Sequence, residues 1–209
     1  MPNFCTIADV EELLQIEINE PDKVLSCERA IQGASAAIRN YTNQYLSLQV
    51  DAEVTLDVWE RRSLLMLPEL PVVMVSSVVE GGVTLTEGTD YVLAGAGQLL
   101  RGYGGPTTWR LWRVGPQAVA VTYTHGYADI PPDIIEVATR AASRVYQAGL
   151  RAAGTGGVLG VLSMALGDFS AGLSSEQGGG AGEGVMGVSA ARMLLLSEQD
   201  ILDNYRHKI

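Results

Sequence analysis

The segment VTYTHGYADIPPDIIEVATR, residues 121–140, changes from a strand pattern to a helix pattern in its middle. Val121 and Tyr123 alternate with smaller and polar residues, as in a strand with one buried face. Pro131 and Pro132 then end the strand, because proline lacks the N–H that a sheet ladder needs. The acidic residues that follow are favourable in the first turn of a helix. The segment therefore predicts a junction between a β-rich region and a helical one.

Amphipathic helices are predicted on both sides of the β-rich region. A short helix at about 7–18 precedes a long one at about 21–46, whose apolar residues recur at spacings of three and four. A second long helix starts at the double proline. The simplest arrangement packs the apolar faces of the two long helices together. The residues predicted to make this contact are Ile31, Ala34, Ile38, Tyr41, Ile134, Val137, Ala141 and Val145.

Between Glu53 and Thr124, seven or eight short strands are predicted, separated by Gly, Pro and Asp. The expected fold class is α+β: a helical bundle frame with an inserted small antiparallel β domain and a tethered C-terminal helix. The predicted domains are the N-terminal helices 1–52, the β domain 53–130, the long helix 131–152, a glycine-rich flexible tether 153–188 and a C-terminal helix 189–209.

The C-terminal helix is expected to be capped by a capping box that starts at Ser197, with Asp200 three residues later. Two alternatives stay open for it. It docks back on its own domain, or it reaches a neighbouring or partner chain. Docking on its own body would count against a role in gripping another molecule.

The charge of the chain disfavours tight binding of nucleic acid. It carries 14 Lys and Arg against 24 Asp and Glu, a net charge of −10, and no cluster of basic residues. Cys5 and Cys27 are expected to be reduced thiols of a cytosolic protein, since no metal-binding spacing surrounds them. Neither a signal peptide nor a membrane span is predicted.

The search for catalytic or cofactor chemistry finds no convincing constellation, so no enzyme, metal or cofactor is expected. His125 is predicted to lie on an exposed strand end, and no nucleophile turn accompanies it. The glycines at 95–105 and 154–160 lack the strand and helix context of a nucleotide loop. Trp109 and Trp112, with their neighbouring arginines, are interpreted as the two faces of one strand, and a stacking platform for single-stranded nucleic acid is the lesser alternative.

In the order of its motifs the chain resembles the head-to-tail connector proteins of tailed double-stranded DNA bacteriophages, also called adaptor or head-completion proteins. The motifs are ADVEELL (8–14), AAIRNYT (36–42), LPELPV (67–72), a hairpin from Val79 to Tyr91, the 121–134 part of the opening segment, and SEQDILDNYR (197–206).

The resemblance implies a structural protein of the virion neck that is assembled in the host cytoplasm. It implies a homo-oligomeric ring of about twelve copies that binds the portal protein and a downstream neck or tail-completion protein. DNA would pass through the lumen without sequence-specific binding, and an acidic wall suits that passage. The docking helix would use Ile201, Leu202, Tyr205 and Arg206 against the portal.

A second hypothesis treats the chain as a monomeric ligand-binding module. In this alternative the β domain recognises a peptide or a sugar through an aromatic pocket near Trp109 and Trp112. An enzyme with an unrecognised site is a third reading, in which His125 would be needed for activity.

Overall fold

The computed structural model describes residues 2–102, 110–154, 163–166, 169–172 and 193–206. Its helices are α1 (Ile7–Leu14), α2 (Pro21–Thr42), α3 (Pro132–Gly154) and α4 (Leu196–Leu202). By its internal contacts the chain divides into two compact units. The first, here called the β unit, combines Met1–Pro2, Ile38–Ile135 and Gln199–Ile209. The second, the helical unit, combines Asn3–Ala37 with Glu136–Glu198.

Helix α1 starts with a complete capping box. The Asp9 N–H donates to Thr6 Oγ1 at 3.3 Å, and the Thr6 N–H donates to the Asp9 carboxylate at 2.6 Å. The helix ends at Leu14 and is capped by Gln15, which takes a left-handed conformation with φ 53°. The prediction of helix to about residue 18 is therefore too long by one turn. The Glu11 carboxylate accepts a hydrogen bond from the Ile18 N–H at 2.6 Å instead.

Helix α2 starts at Pro21, as the sequence predicts, because a first-turn proline gives up no hydrogen bond there. It ends at Thr42, earlier than the predicted 46. The Thr42 hydroxyl donates to the Ile38 carbonyl at 2.9 Å, and Asn43 turns the chain with φ 53°. Helix α3 starts at Pro132, the second residue of the double proline.

The β unit contains two antiparallel sheets. Strands β1 (Gln49–Val58), β7 (Gly115–His125), β3 (Val72–Glu80) and β4 (Val83–Leu85) form a four-stranded sheet in that order. Strands β2 (Leu64–Met66), β6 (Gln98–Arg101) and β5 (Tyr91–Ala94) form a three-stranded sheet. The described residues of this region hold seven strands, within the predicted range of seven or eight, and β1 starts four residues before Glu53.

The two sheets share one hydrophobic cluster. Val78, Val121 and Tyr123 from the larger sheet and Leu65 and Leu99 from the smaller one are buried in it. This burial follows from the alternation of apolar residues along each strand, which directs one face of each sheet inward. Removing these side chains from water is the main source of stability in such a unit.

Strands β8 (Ser163–Leu166) and β9 (Phe169–Gly172) pair with each other in antiparallel fashion. They lie inside the range predicted as a flexible tether, where no strand was predicted. The other residues of that range beyond Gly154, and the first residues of the predicted C-terminal helix, lie outside the described residues. The chain is thus of mixed α+β class, as predicted.

Candidate interaction site at the C-terminal segment

The last described residues, Leu196–Arg206, are called the C-terminal segment. Within the β unit, Leu202 is fully buried. The Tyr205 hydroxyl lies 2.7 and 2.9 Å from the two carboxylate oxygens of Asp133, to which it donates. The Tyr205 ring meets Tyr127 edge to face, with 6.0 Å between the ring centroids. In this single chain the segment contacts residues of its own β unit, as in the first of the two alternatives, and this counts against its use to grip another molecule.

The environment of Tyr205 favours its neutral form. Burial, followed by the hydrogen bond to Asp133 and the charge of that carboxylate, raises the pKa of Tyr205 to about 12. A protonated phenol is the form that can donate to a carboxylate. The pair therefore holds the end of the segment throughout the neutral pH range.

A second contact of the β unit joins the same segment to the end of α2. The Tyr41 hydroxyl donates to Asp203 at 2.8 Å. The guanidinium of Arg206 lies 5.6 Å from the centroid of the Tyr41 ring, which is a cation–π distance. Of the four predicted docking residues, Leu202 is buried, Ile201 and Tyr205 are half-buried and Arg206 is exposed.

The start of the C-terminal segment is held within the helical unit. Arg144 on α3 donates through Nη1 and Nη2 to the two oxygens of Glu198, each at 2.6 Å. Arg144 also donates to the Met193 carbonyl at 3.0 Å. The side chain of Glu198 is 3% exposed and that of Arg144 is 35% exposed. A two-pronged ion pair of this kind fixes orientation as well as charge.

The predicted capping box at Ser197 is not the one that forms. Helix α4 starts at Leu196, so Ser197 already lies within it. The Glu198 carboxylate accepts a hydrogen bond from the Leu195 N–H at 2.9 Å and so serves the first turn. Because Glu198 is also bound to Arg144, this carboxylate is better placed than the Ser197 hydroxyl.

A cavity of about 530 Å³ in the β unit is bordered by the end of the C-terminal segment. The ionisable groups on its described wall are two tyrosines and one arginine, a set without an acid–base pair or a nucleophile. Its lining consists of Leu46, Leu70, Pro71, Val72, Leu93, Ala94, Gly95, Ala96, Gly97, Tyr127, Asn204, Tyr205 and Arg206.

The residues predicted to pack the long helices divide by burial. Tyr41 is half-buried, and Val145 is 36% exposed. The inward position near Val145 is taken by Tyr146, which continues the spacing of four from Ala138 and Ala142. Val145 thus faces outward, contrary to the prediction. The buried members of the set are Ile31, Ala34, Ile38, Ile134, Val137 and Ala141.

The thiols of Cys5 and Cys27 are free and buried. Burial raises the pKa of Cys5 to about 11, which outweighs the opposite effect of its hydrogen bond with Thr139. A buried thiol with such a pKa is a poor nucleophile at neutral pH. Both cysteines therefore serve as small apolar residues of the helical unit.

His125 is buried, and the prediction of an exposed strand end is wrong for it. The side chain is 3% exposed and its ring lies 5.0 Å from that of Tyr123. Its strand β7 is central, and Gln49 of β1 and Val72 of β3 are both paired with His125. Burial lowers the pKa of His125, so the neutral imidazole is favoured.

Trp112 is 1% exposed, and its indole N–H donates to the Ser63 carbonyl at 2.9 Å. It cannot line an open aromatic pocket or a stacking platform. Trp109 lies outside the described residues. Among the described parts of the chain there is no cluster of metal-ligating side chains, and no helix there is long and apolar enough to cross a membrane.

Comparisons with known proteins identify relatives of the chain. None of the curated proteins matches its sequence significantly. Among solved structures, the "Neck of empty GTA particle computed with C6 symmetry" is similar at 16% identity and a TM-score of 0.50, covering 97% of this chain and 89% of the other. The "Virion of native gene transfer agent (GTA) particle" is similar at 15% identity and a TM-score of 0.51, with the same coverages. These likenesses describe the fold.

The family comparison is more specific than the structural one. The model of a protein family described as "HCP: Head completion protein" matches residues 3–142, most of the chain. That match covers α1, α2, strands β1 to β7 and the first half of α3. The chain therefore belongs to the head completion protein family.

Proposed function

We propose that this chain is a structural subunit of a virion neck, which forms an oligomeric ring and connects the portal of the head to the tail. The observation that carries the proposal is the family match over residues 3–142. The likeness in fold to a protein in the neck of a gene transfer agent particle supports it. The role is one of assembly without catalysis, with no cofactor.

The ring is proposed to contain about twelve copies in head-to-tail contact, since heterologous contacts close into rings. Its lumen lets DNA pass without sequence-specific binding. The net charge of −10 supports this part of the proposal, because a negative wall repels phosphates and avoids clamping the duplex. A downstream neck or tail-completion protein would bind the opposite face.

We place the contact with the portal on the C-terminal segment, through Ile201, Leu202, Tyr205 and Arg206. Arg206 is exposed and can be reached directly. Leu202 is fully buried in this chain, so its use as an anchor requires the segment to leave its present position. The polar contacts of Tyr205 and Tyr41 would then be exchanged for contacts with the portal.

We also propose the organisation behind this role. Residues 1–52 and 131–152 serve as a helical bundle frame, 53–130 as an inserted β domain, 153–188 as the tether and 189–209 as the docking helix. In the single chain, residues 38–48 cluster with the strands, because Ser47 pairs with Tyr127 and the Leu48 N–H donates to the Tyr127 carbonyl at 2.9 Å.

Electron microscopy of the purified chain, alone and mixed with purified portal, tests the proposal. We expect rings on the portal, and loss of portal attachment when residues 189–209 are deleted. A full-length chain that stays monomeric in both samples would refute the neck role. If the deletion variant still attaches, the portal contact lies elsewhere and the neck role stands.

A further inference from the structure

Positive charge in the β unit is concentrated at one end. Residues 59–63 and 110–114 are called the basic end. They hold Arg61, Arg62, Arg110 and Arg113, four of the chain's 14 Lys and Arg, against one acidic residue, Glu60, which lies 3.5 Å from Arg62. Arg110 also lies 3.6 Å from Asp90, so the net positive charge rests mainly on Arg61 and Arg113. All four arginines are exposed. Such a concentration against the overall charge favours a negatively charged partner.

The basic end is rigidly placed by a buried side chain. Trp112 is anchored by two hydrogen bonds of 2.9 Å, from its N–H to the Arg62 carbonyl and from its indole to the Ser63 carbonyl. The buried guanidinium of Arg101 lies 5.6 Å from the centre of the Trp112 ring. These contacts hold the two segments side by side, so their exposed residues form one surface.

Exposed apolar side chains lie among the arginines of the basic end. Trp59 is 68% exposed, Leu111 is 51% exposed and Val114 is 48% exposed. A surface made only for phosphates has no need of them, whereas protein interfaces combine apolar anchors with arginine. The basic end therefore fits a protein partner with an acidic surface better than it fits DNA.

An acidic surface of this kind lies on the same unit. On β1, exposure alternates so that Asp51, Glu53 and Asp57 face outward together with Thr55. The sequences of the four strands of this sheet contain no Lys or Arg, so nothing within them neutralises that face. Strand β1 is also an edge strand, next to β7 on one side only. The outward face of β1 is called the acidic face.

We infer that the basic end of one copy binds the acidic face of the next copy in the ring. This inference rests on the proposed ring, whose subunit contacts it assigns. Opposite charges orient the two surfaces, and the exposed apolar residues contribute affinity. A head-to-tail contact between two different surfaces repeats around a ring, whereas basic end against basic end would repel.

The test uses charge reversal on the full-length chain. In the variant Arg61→Glu/Arg62→Glu, the basic end turns acidic and faces an acidic partner. We expect the concentration for half-assembly, measured by mass photometry with and without portal, to rise at least about tenfold. Wild-type assembly should also weaken at about 1 M salt, because the Debye length is then about 3 Å and the attraction between the two charged surfaces is screened.

A reciprocal variant separates the contact from misfolding. Glu53→Arg/Thr55→Arg turns the acidic face basic without touching Asp51 or Asp57, whose carboxylates accept hydrogen bonds from Ser76 and Gln117. Alone it should weaken assembly, and combined with the first variant it should restore assembly toward the wild-type concentration. The exposed reversal Arg29→Glu on α2 is the matched control and should assemble like the wild type.

Three outcomes would overturn the inference. Normal assembly of Arg61→Glu/Arg62→Glu would exclude the contact while leaving the ring intact. A combined variant that folds but stays unassembled would show that the two surfaces do not meet. A shift of duplex DNA that requires Arg61 and Arg62 would assign the basic end to DNA. Failure of the wild type to assemble at all would instead refute the proposed ring.

Discussion

At the scale of single residues, the hydrogen bond from Tyr205 to Asp133 makes the stability of the folded chain depend on pH. Because the folded pKa of Tyr205 is about 12, the folded chain keeps the phenolic proton after an unfolded tyrosine has lost it near pH 10. The stability from this bond is therefore complete below about pH 10 and is lost as pH rises toward 12.

We expect Tyr205→Phe to lower the free energy of unfolding by about 1 kcal/mol at neutral pH, because one hydrogen bond is lost. Thermal unfolding as a function of pH measures it. The difference between variant and wild type should shrink above about pH 10, when the wild-type bond is lost as well. A difference that stays constant up to pH 12 would contradict this account of Tyr205.

The buried imidazole of His125 should make stability depend on pH in the opposite direction. Its pKa is lowered by burial, so below about pH 6.5 the unfolded chain takes up a proton that the folded chain does not. Stability is therefore lost as pH falls through this range. We expect the wild type to lose more stability between about pH 7 and pH 5 than His125→Leu does. Equal losses in urea unfolding would show that the imidazole does not titrate differently on folding.

At the scale of elements, the placement of α4 depends on an ion pair with one nearly buried partner. Arg144→Met leaves the Glu198 carboxylate, 3% exposed, without its counter-charge, which costs about 3–5 kcal/mol. Arg144→Met/Glu198→Gln should be milder, because the neutral amide still accepts from the Leu195 N–H. Hydrogen exchange of the α4 amides measures both. If the α4 amides of the double variant exchange as fast as those of Arg144→Met, the uncompensated charge of Glu198 is not the cause of the loss.

Local patterns predicted the elements better than they predicted the contacts. The junction at Pro131 and Pro132, the start of α2 at Pro21 and the strand-rich middle follow from proline chemistry and periodicity, which act over a few residues. The pairing of Arg144 with Glu198 joins residues 54 positions apart, and no local pattern encodes it.

The candidate site shows the same division. The apolar spacing of the last helix indicated Leu202 as a contact residue, yet only the folded chain shows that this side chain is already fully buried. His125 was misjudged because a strand end is usually exposed. The pairing of β7 with strands on both sides, which buries that end, is a long-range property.

At the scale of the whole molecule, the net charge of −10 should prevent the assembled chain from binding duplex DNA. We expect no retention of duplex DNA by the assembled protein in gel shifts at about 0.15 M salt, because phosphates meet a mainly acidic surface. Binding that weakens steeply with salt would contradict a passive lumen.

The register of the large sheet brings the two ends of the strand-rich region together. Gln49, where β1 begins, is paired with His125, where β7 ends. The backbone thus arrives and departs at neighbouring points, although Gln49 and His125 are 76 positions apart in the sequence. Recombination between related genomes could therefore replace the region from Gln49 to His125 as one piece, because only these two neighbouring positions must fit the rest of the chain. A reporter protein with close termini could be grafted in the same place.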